Sequence, residues 1–237
     1  SMQVYRGMNI GTAKPSAGER KKIRHHLIDA VKPRTRYSVF RYRTEALKAI
    51  REVLKRGRIP IVVGGSGLYL EALWRGLSAP LGENKRFRAK LSKIAAQKGV
   101  SFLHKELKKK DPLRARQIHP NDLRRIIRAL EIASLSGQKS TDWHLKRTSL
   151  KDLGFNYRIF GLARERHGLY ERIGRRVIEM FHQGFLREVK RLKSQGFSQT
   201  ARQALGYREA LQFLKASPRP SKSDISPLIE AIQKRTR

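Results

Sequence analysis

Cysteine is absent from this sequence of 237 residues, and its absence excludes several kinds of chemistry. The chain can form no disulfide, no thiolate nucleophile and no zinc site with cysteine ligands. The seven histidines offer no substitute, because none has an HExxH or similar ligand spacing. His25 and His26 are adjacent, so their side chains diverge and make a poor metal pair. We predict no metal ligand in this chain and interpret the two histidines as packing or hydrogen-bonding residues.

Acidic residues are also scarce. Lysine and arginine number 54 against 19 acidic residues, which gives a formal charge of +35. The positive charges of a compact protein with this excess repel one another, and such an excess usually serves to bind a polyanion. Phosphate backbones attract a basic surface through counterion release, so nucleic acid is the partner that composition favours. The alternative is a generally basic proteome or a solubility device.

Long apolar runs are missing as well. No stretch approaches the ~20 residues of a membrane span, and the first fifteen residues have no apolar core of the kind found in a signal peptide. The basic residues are spread along the chain rather than gathered beside an anchor, which speaks against a membrane-surface role. We expect a cytoplasmic protein without a membrane partner, and a monomer.

The first part of the chain has the alternating pattern of an α/β domain. Residues 59–63 (IPIVV) form a short β-branched apolar run that predicts a strand buried on both faces of a parallel sheet. The spacing of apolar residues predicts a helix over 40–56, with Ser38 as N-cap and Gly57 as the stop. A second helix is predicted over 68–74, and a strand-like run returns at 157–163.

The middle of the chain has helical patterns and no convincing strand. Asp111 and Pro112 predict a helix start, with the acid as cap and the proline in the first turn. Asn121 is the predicted cap of the next helix and Gly137 its end. We therefore predict a core of residues 1–79 and 157–237 with a helical insertion at 80–156. Further segments complete the prediction: helices over 87–97, 101–109, 122–136, 169–182, 185–194 and 207–216, a surface loop at 217–227 and a last helix from 227.

The sequence GGSGLY, residues 64–69, directly follows the predicted strand and opens a helix. Glycines let the backbone approach a ligand, and free amides at a helix N-terminus favour phosphate. Ser66 adds a hydroxyl donor. No GxxxxGK[ST] motif occurs in the chain and the GxGxxG spacing fails, so an ordinary strand-to-helix turn remains an equal alternative.

Arginines recur in three segments that could bind phosphate. In HPNDLRRIIRALEI, residues 119–132, the basic residues fall beside an apolar stripe and could contact phosphates or bases. In LYERIGRRVIEMF, residues 169–181, the arginine fork suits a diphosphate. In TARQALGYREAL, residues 200–211, hydrogen-bonding groups flank Gly206. Solvated basic faces and a capping glycine are the alternatives for each segment taken alone.

The order and spacing of six segments resemble the bacterial tRNA dimethylallyltransferases over essentially the whole chain. The segments are SMQVYRGMNIGTAKP, HHLID, IPIVVGGSGLY, DPLRARQIHPNDLRRIIRALEI, LYERIGRRVIEMF and RQALGYREAL. The resemblance implies a P-loop kinase-like parallel-sheet core and an all-helical insertion that clamps the tRNA anticodon stem-loop. It implies transfer of a dimethylallyl group from dimethylallyl diphosphate to the exocyclic N6 amine of the adenosine 3′-adjacent to the anticodon, with Mg²⁺ helping the diphosphate to leave.

The resemblance also assigns site residues. Gln3 is expected to read the flipped adenine. Arg176 and Ser66 are expected to be catalytic, with Arg176 holding the diphosphate. The residues expected to contact tRNA are Ser1, Met2, Gln3, Ser66, Arg88, Arg124, Arg125, Ile126, Ile127, Arg128, Gln203, Ala204, Leu205, Gly206, Tyr207 and Arg208.

Several departures from the family pattern matter. Ser66 stands where the family usually has threonine. The family's phosphate-binding loop is not in this sequence, and the aspartate proposed as its general base would stand immediately before Ser1. The family also continues past residue 237. We therefore expect this chain to be part of a longer protein and to be inactive by itself. The alternatives are a fragment that acts only as an RNA-binding module and a P-loop small-molecule kinase-like enzyme.

Overall fold

Helices make up the regular structure of the part of the chain that is described. The computed structural model describes residues 1–218, Ser221 and residues 224–236. It divides into two compact units, the first comprising Ser1–Tyr69 and Arg158–Arg237 and the second Leu70–Tyr157. The sequence places its breaks before residue 80 and after residue 156. The role that it assigns to each part stays a prediction.

The first unit opens with a 3₁₀ turn at Met2–Val4. Its helices are α1 (Ala17–Lys22), α2 (Val39–Lys55), α9 (Arg166–His182), α10 (Phe185–Gln195), α11 (Gln199–Arg202), α12 (Tyr207–Ala216) and α13 (Ile225–Thr236). Helix α3 (Gly67–Trp74) runs from this unit into the second. The second unit contains α4 (Lys85–Lys98), α5 (Val100–Lys110), α6 (Pro112–Gln117), α7 (Leu123–Ser136) and α8 (Ser140–Leu145).

Local capping explains where several helices begin and end. The Ser38 side chain accepts from the backbone N–H of Arg41, and Gly57 follows α2 with φ of +67°. Asp111 accepts from Arg114 N–H, and Pro112 is the first residue of α6. Gly137 ends α7 in the left-handed conformation at φ +66°, where glycine carries no Cβ penalty. These predicted helix ends are confirmed.

The predicted cap of α7 is wrong by one residue. Asp122, not Asn121, accepts from the N–H of Arg125, at 3.0 Å. Asn121 instead donates its own N–H to the ring Nδ1 of His119. The helix begins at Leu123, so the side chain of residue 122 has the geometry to reach the third amide of the helix.

The two predicted strands are not formed in the described part of the chain. Ile59, Ile61 and Val63 are 87%, 81% and 88% exposed, and Phe160 is 83% exposed. The expectation of burial on both faces, made for residues 59–63, is therefore wrong. A strand satisfies its backbone groups only through neighbouring strands. Within residues 1–218, 221 and 224–236 the only such pairing is the isolated parallel bridge between Tyr5 and Val31, so the parallel sheet is not seen here.

The second unit is helical, as its sequence predicts, and has an apolar core of its own. Leu91 of α4, Leu103 and Leu107 of α5, and Ile126 and Leu130 of α7 pack together in one buried cluster. Ile126 is fully buried.

The core of the first unit surrounds Phe185 and Tyr207, whose rings meet edge to face at 5.1 Å. The predicted loop at 217–227 falls partly on residues 219, 220, 222 and 223, which lie outside the described residues. The last helix begins at Ile225, two residues before the predicted start.

Candidate active site

The start of the chain and the GGSGLY segment meet in the structure. The Ser66 hydroxyl lies 2.8 Å from the Ser1 hydroxyl and donates a hydrogen bond to it. Ser66 directly precedes α3, and Ser1 directly precedes the 3₁₀ turn. The sequence assigns both residues to tRNA binding, and folding brings them within contact distance.

Gln3 has a fixed orientation. Its side-chain amide nitrogen donates to the backbone carbonyl oxygens of Thr12, at 3.0 Å, and Ala13, at 2.9 Å. An amide NH₂ has two donors, so both are engaged within the protein. The side-chain oxygen Oε1 is left as the group that can meet a ligand, and it can only accept a hydrogen bond.

An open cleft of about 610 Å³ lies beside the loop that Gln3 holds. We call residues 9–15 the cleft loop, since Ile10, Ala13, Lys14 and Pro15 line one part of the cleft. Residues of the 19–25 segment and of α9 complete its lining: Glu19, Lys22, Ile23, His25, Arg176, Glu179, Met180 and Gln183.

Arg176 is the predicted catalytic residue that faces this cleft. Its side chain is exposed, and it has no hydrogen bond or ion pair within the described residues. Lys14 and Lys22 add positive charge to the lining, and Glu19 and Glu179 add negative charge. The carboxylate of Glu19 is committed to the backbone and hydroxyl of Ser16. An unpaired guanidinium in an open, net basic cleft is suited to bind a phosphate-bearing group.

Lys14 is held by a network that the sequence did not reveal. Its side chain is 1% exposed, and its ammonium donates to Asp29 Oδ1 at 2.6 Å and to the Tyr5 carbonyl at 2.7 Å. Arg20 donates to the other oxygen of Asp29 at 2.8 Å. Burial lowers the pKa of Lys14 even against the attraction of Asp29. Burial opposes ionisation of Asp29, but the hydrogen bonds from Lys14 and Arg20 outweigh it and hold the pKa of Asp29 below its ordinary value.

Two arginines of the second unit that were assigned to tRNA form ion pairs within the protein. Arg88 donates twice to Glu131, at 2.8 and 2.7 Å, and Arg128 donates to the same carboxylate at 2.5 Å. Arg128 also donates to the carbonyls of Leu81 and Gly82. Glu131 is fully buried. Burial would raise the pKa of Glu131, but the hydrogen bonds from the two arginines and from the Asn84 backbone N–H together hold it below its ordinary value.

The other residues of α7 that were predicted to contact tRNA fall into a buried pair and an exposed pair. Ile126 and Ile127 are buried in the core of the unit, so they can serve RNA binding only by holding the helix. Arg124 and Arg125 are exposed. Arg125 forms one ion pair, in which its Nε lies 3.4 Å from Oδ2 of Asp122. Arg124 has no hydrogen bond or ion pair with any residue that the structure describes.

The predicted segment 203–208 divides in the same way. Gln203 and Leu205 are exposed, whereas Ala204, Gly206 and Tyr207 are buried. The Tyr207 hydroxyl donates to Glu188 at 2.5 Å. Arg208 lies 3.6 Å from Glu209. Tyr207 can therefore act on a ligand only through the residues that it positions.

The sequence reasoning missed Lys14, Glu188 and Glu131. Each is a charged residue whose side chain is buried against a partner distant in sequence. Only Glu131 carried a local signal, since it lies in the apolar stripe of α7. An acid within an apolar helix face is rarely left unpaired.

Metal ligands are not grouped in the part of the chain described. No cluster of three or more histidine, aspartate or glutamate residues that could hold a metal ion occurs there. The cleft carboxylates, Glu19 and Glu179, belong to a lining that also holds Lys14, Lys22 and Arg176. This donor set does not fit a magnesium site made by protein ligands alone.

The sequence matches the model of the IPP transferase family over residues 3–237, and the chain belongs to this family. A tRNA dimethylallyltransferase from Pelotomaculum thermopropionicum is 43% identical over 240 residues, covering 100% of this chain and 74% of the relative. The tRNA dimethylallyltransferase of Thermotoga maritima is 39% identical over 239 residues, covering 100% of this chain and 75% of the relative. The chain thus spans about three quarters of the length of these relatives.

Solved structures agree with this placement. The full-length tRNA isopentenylpyrophosphate transferase of Bacillus halodurans is 37% identical with a TM-score of 0.61, covering 99% of this chain and 73% of that one. A eukaryotic dimethylallyltransferase, described in crystallographic snapshots as acting on tRNA, is 29% identical with a TM-score of 0.74, covering 100% of this chain and 59% of that one.

Within the described residues, none of the helices has the length and apolarity that a membrane crossing requires.

Proposed function

We propose that this chain, within an enzyme of its relatives' length, transfers a dimethylallyl group from dimethylallyl diphosphate to the N6 amine of the adenosine 3′-adjacent to the anticodon in tRNA. One observation carries the proposal. The unpaired Arg176 lines a cleft together with Ala13 of the loop whose backbone carbonyls Gln3 contacts. This supports a diphosphate-binding role for Arg176 near the loop held by Gln3, in a chain 43% identical to a tRNA dimethylallyltransferase.

Gln3 suits an adenine amine. Because both of its amide hydrogens are engaged by Thr12 and Ala13, its Oε1 is the side-chain atom left to meet a ligand, as an acceptor. The exocyclic amine of adenine is a donor, whereas guanine and hypoxanthine present a carbonyl at the same position. We infer that Gln3 accepts from the amine and rejects a carbonyl there, because two acceptors repel. Reaching that amine requires the base to leave its stack.

Arg176 suits the departing diphosphate. Negative charge develops on the bridging oxygen as the allylic bond breaks, and a guanidinium beside it stabilises that charge. Lys22 adds a second cation to the lining of the same cleft. The family resemblance implies Mg²⁺ as a further counter-charge. The described residues do not form a site for this ion.

The exposed cations of α7 suit the RNA backbone. Arg124 and Arg125 project from the same helix whose other face builds the core of the second unit. With a net charge of +35, the protein attracts phosphates independently of sequence. We assign Arg124 and Arg125 to tRNA contact, with Gln203 and Leu205 as further exposed candidates. A cytoplasmic location and a monomeric state stay predictions of the sequence.

The parallel-sheet core belongs to this proposal too. Residues 59–63 and 158–163 combine strand-forming composition with large exposed apolar side chains. We propose that these segments pair as strands in a protein of the relatives' length. Their backbone amides should then exchange hydrogen slowly there and rapidly in the present chain. Equal, rapid exchange in both proteins would contradict the sheet.

A transfer assay tests the function. The longer protein is incubated with labelled dimethylallyl diphosphate and an anticodon stem-loop carrying adenosine, guanosine or inosine at the target position. Label should enter only the adenosine RNA. RNA binding without transfer would favour a binding module, and label in no RNA but rapid hydrolysis of a nucleoside triphosphate would favour a kinase-like enzyme.

A further inference from the structure

Glu188 of α10 is a buried carboxylate to which the proposed function assigns no role. It is 5% exposed. Its Oε2 accepts the backbone N–H groups of Asn9, at 2.9 Å, and Ile10, at 3.0 Å. Its Oε1 accepts Gly11 N–H at the longer distance of 3.5 Å and the Tyr207 hydroxyl at 2.5 Å. Every one of these donors is a neutral group, so Glu188 forms no ion pair through them.

The three amides belong to the first half of the cleft loop. Consecutive backbone N–H groups in a turn form a concavity that binds anions. Here the anion is supplied by the protein itself, from a helix almost 180 residues further along the chain. These donors offset part of the cost of burying a carboxylate, because they satisfy its lone pairs.

The packing behind the loop leaves it little freedom. A Cβ added to Gly11 would lie 2.4 Å from the Tyr207 ring and 2.6 Å from the Phe185 ring. Burial and the hydrogen bond to Glu188 raise the pKa of Tyr207 far above its ordinary value, so its hydroxyl remains a donor. Glu188, Gly11 and Tyr207 therefore act as one contact that seats the loop against α10 and α12.

The second half of the cleft loop carries three of the four loop residues that line the cleft. Gln3 donates to the carbonyls of Thr12 and Ala13, and Ala13 and Lys14 line the cavity with Arg176. Ala13 has a φ of +48°, a conformation that an L-residue adopts only when its surroundings impose it. A loop in this conformation needs fixed ends. Glu188 holds one end, and the ion pair of Lys14 with Asp29 holds the other.

We propose that Glu188 is a positioning residue for the transfer reaction, which fixes the cleft loop and through it the orientation of Gln3. This inference rests on the proposed function. It predicts that loss of the Glu188 charge slows the chemical step without weakening the capture of tRNA. A displacement of about 1 Å in a positioning group can cost up to roughly a hundredfold in rate.

The test uses Glu188→Gln in the intact enzyme, with Glu52→Gln on α2 as the matched control. Amide hydrogen exchange of residues 9–11 reports the seating of the loop in the ligand-free protein. Steady-state kinetics with saturating substrates report kcat, and a separate titration reports the Kd for tRNA. In Glu188→Gln, exchange at residues 9–11 should accelerate and kcat should fall roughly ten- to a hundredfold, with tRNA Kd little changed. Glu52→Gln should alter none of the three.

Two results would overturn the role of Glu188. One is faster exchange in the loop with kcat unchanged, and the other is exchange that does not change. Tyr207→Phe removes one hydrogen bond and leaves the three amide bonds. If Glu188→Gln fails to fold, a smaller fall in kcat for Tyr207→Phe supports the proposal and a wild-type kcat overturns it. Absence of transfer by the wild-type enzyme would refute the proposed function instead, because the exchange measurement needs no substrate.

A double-mutant cycle sharpens the assignment. If Glu188 acts through Gln3, the combination of Glu188→Gln with Gln3→Ala should cost less than the product of the two separate losses in kcat. Strictly multiplicative losses would show that Glu188 acts by another route and would overturn the stated link.

Discussion

Arginines that look alike in the sequence have different surroundings in the two units. In the second unit, Arg88 and Arg128 enclose the buried carboxylate of Glu131. In the first, Arg176 faces an open cleft and has no partner within the described residues. A guanidinium that already has a carboxylate contributes to the fold, whereas an unpaired one in a cavity is available to a ligand. Whether an arginine is exposed and unpaired therefore indicates a ligand-binding role better than its place in a sequence motif does.

The largest expected effect concerns the cleft. Arg176→Ala in the intact enzyme should lower kcat by about a hundredfold or more, the loss typical of one donor to a developing negative charge. The affinity for tRNA should hardly change. A binding loss would raise the Michaelis constant, whereas loss of a transition-state contact lowers kcat. Steady-state kinetics separate the two.

The matched control is Arg172→Ala, one turn earlier on α9 and outside the lining of the cleft. It should keep wild-type kcat. If both variants lost activity equally, the contrast between arginines inside and outside the cleft would fail.

The next effect concerns the paired arginines. Glu131→Ala should lower the free energy of unfolding by about 3 kcal/mol, the low end for breaking a buried ion pair. We expect the low end of that range because the side chains of Arg88 and Arg128 are about one third exposed. Water can therefore hydrate both guanidinium groups once the carboxylate is removed. Urea denaturation followed by circular dichroism measures the change. Glu106→Ala on α5, whose partner Lys109 is exposed, should cost far less, because exposed ion pairs contribute little to stability. Equal losses would remove the distinction between the two kinds of pair.

The smallest effect compares two arginines of one helix. Arg124→Ala should weaken binding of an anticodon stem-loop and reduce the slope of log affinity against log salt by about 1. Arg128→Ala should instead destabilise the protein, because its guanidinium is committed to Glu131 and to two carbonyls. Titrations at several salt concentrations, with melting curves for both variants, measure this. An unchanged salt slope in Arg124→Ala would place that residue outside the RNA interface.

Part of this structure follows from local chemistry. The helices capped by Ser38 and Asp111 and ended by Gly137 form where the sequence predicts them, since a cap acts within a few residues. The cap of α7 shows the limit of such reasoning. Two adjacent acceptors, Asn121 and Asp122, compete, and the helix start selects between them. The strand predictions were wrong for a different reason. A strand needs a neighbouring strand to pair with, and the β-propensity of its own residues does not supply one.

The sequence by itself determined the family and the basic charge. It also determined the helical character of the second unit, whose apolar spacing is periodic. Only the tertiary structure decided which cations remain free. Lys14 meets Asp29, and Arg88 meets Glu131, across distances in the chain that no local pattern spans, and Glu188 reaches the cleft loop from α10. Whether a charge is paired depends on what folding places beside it.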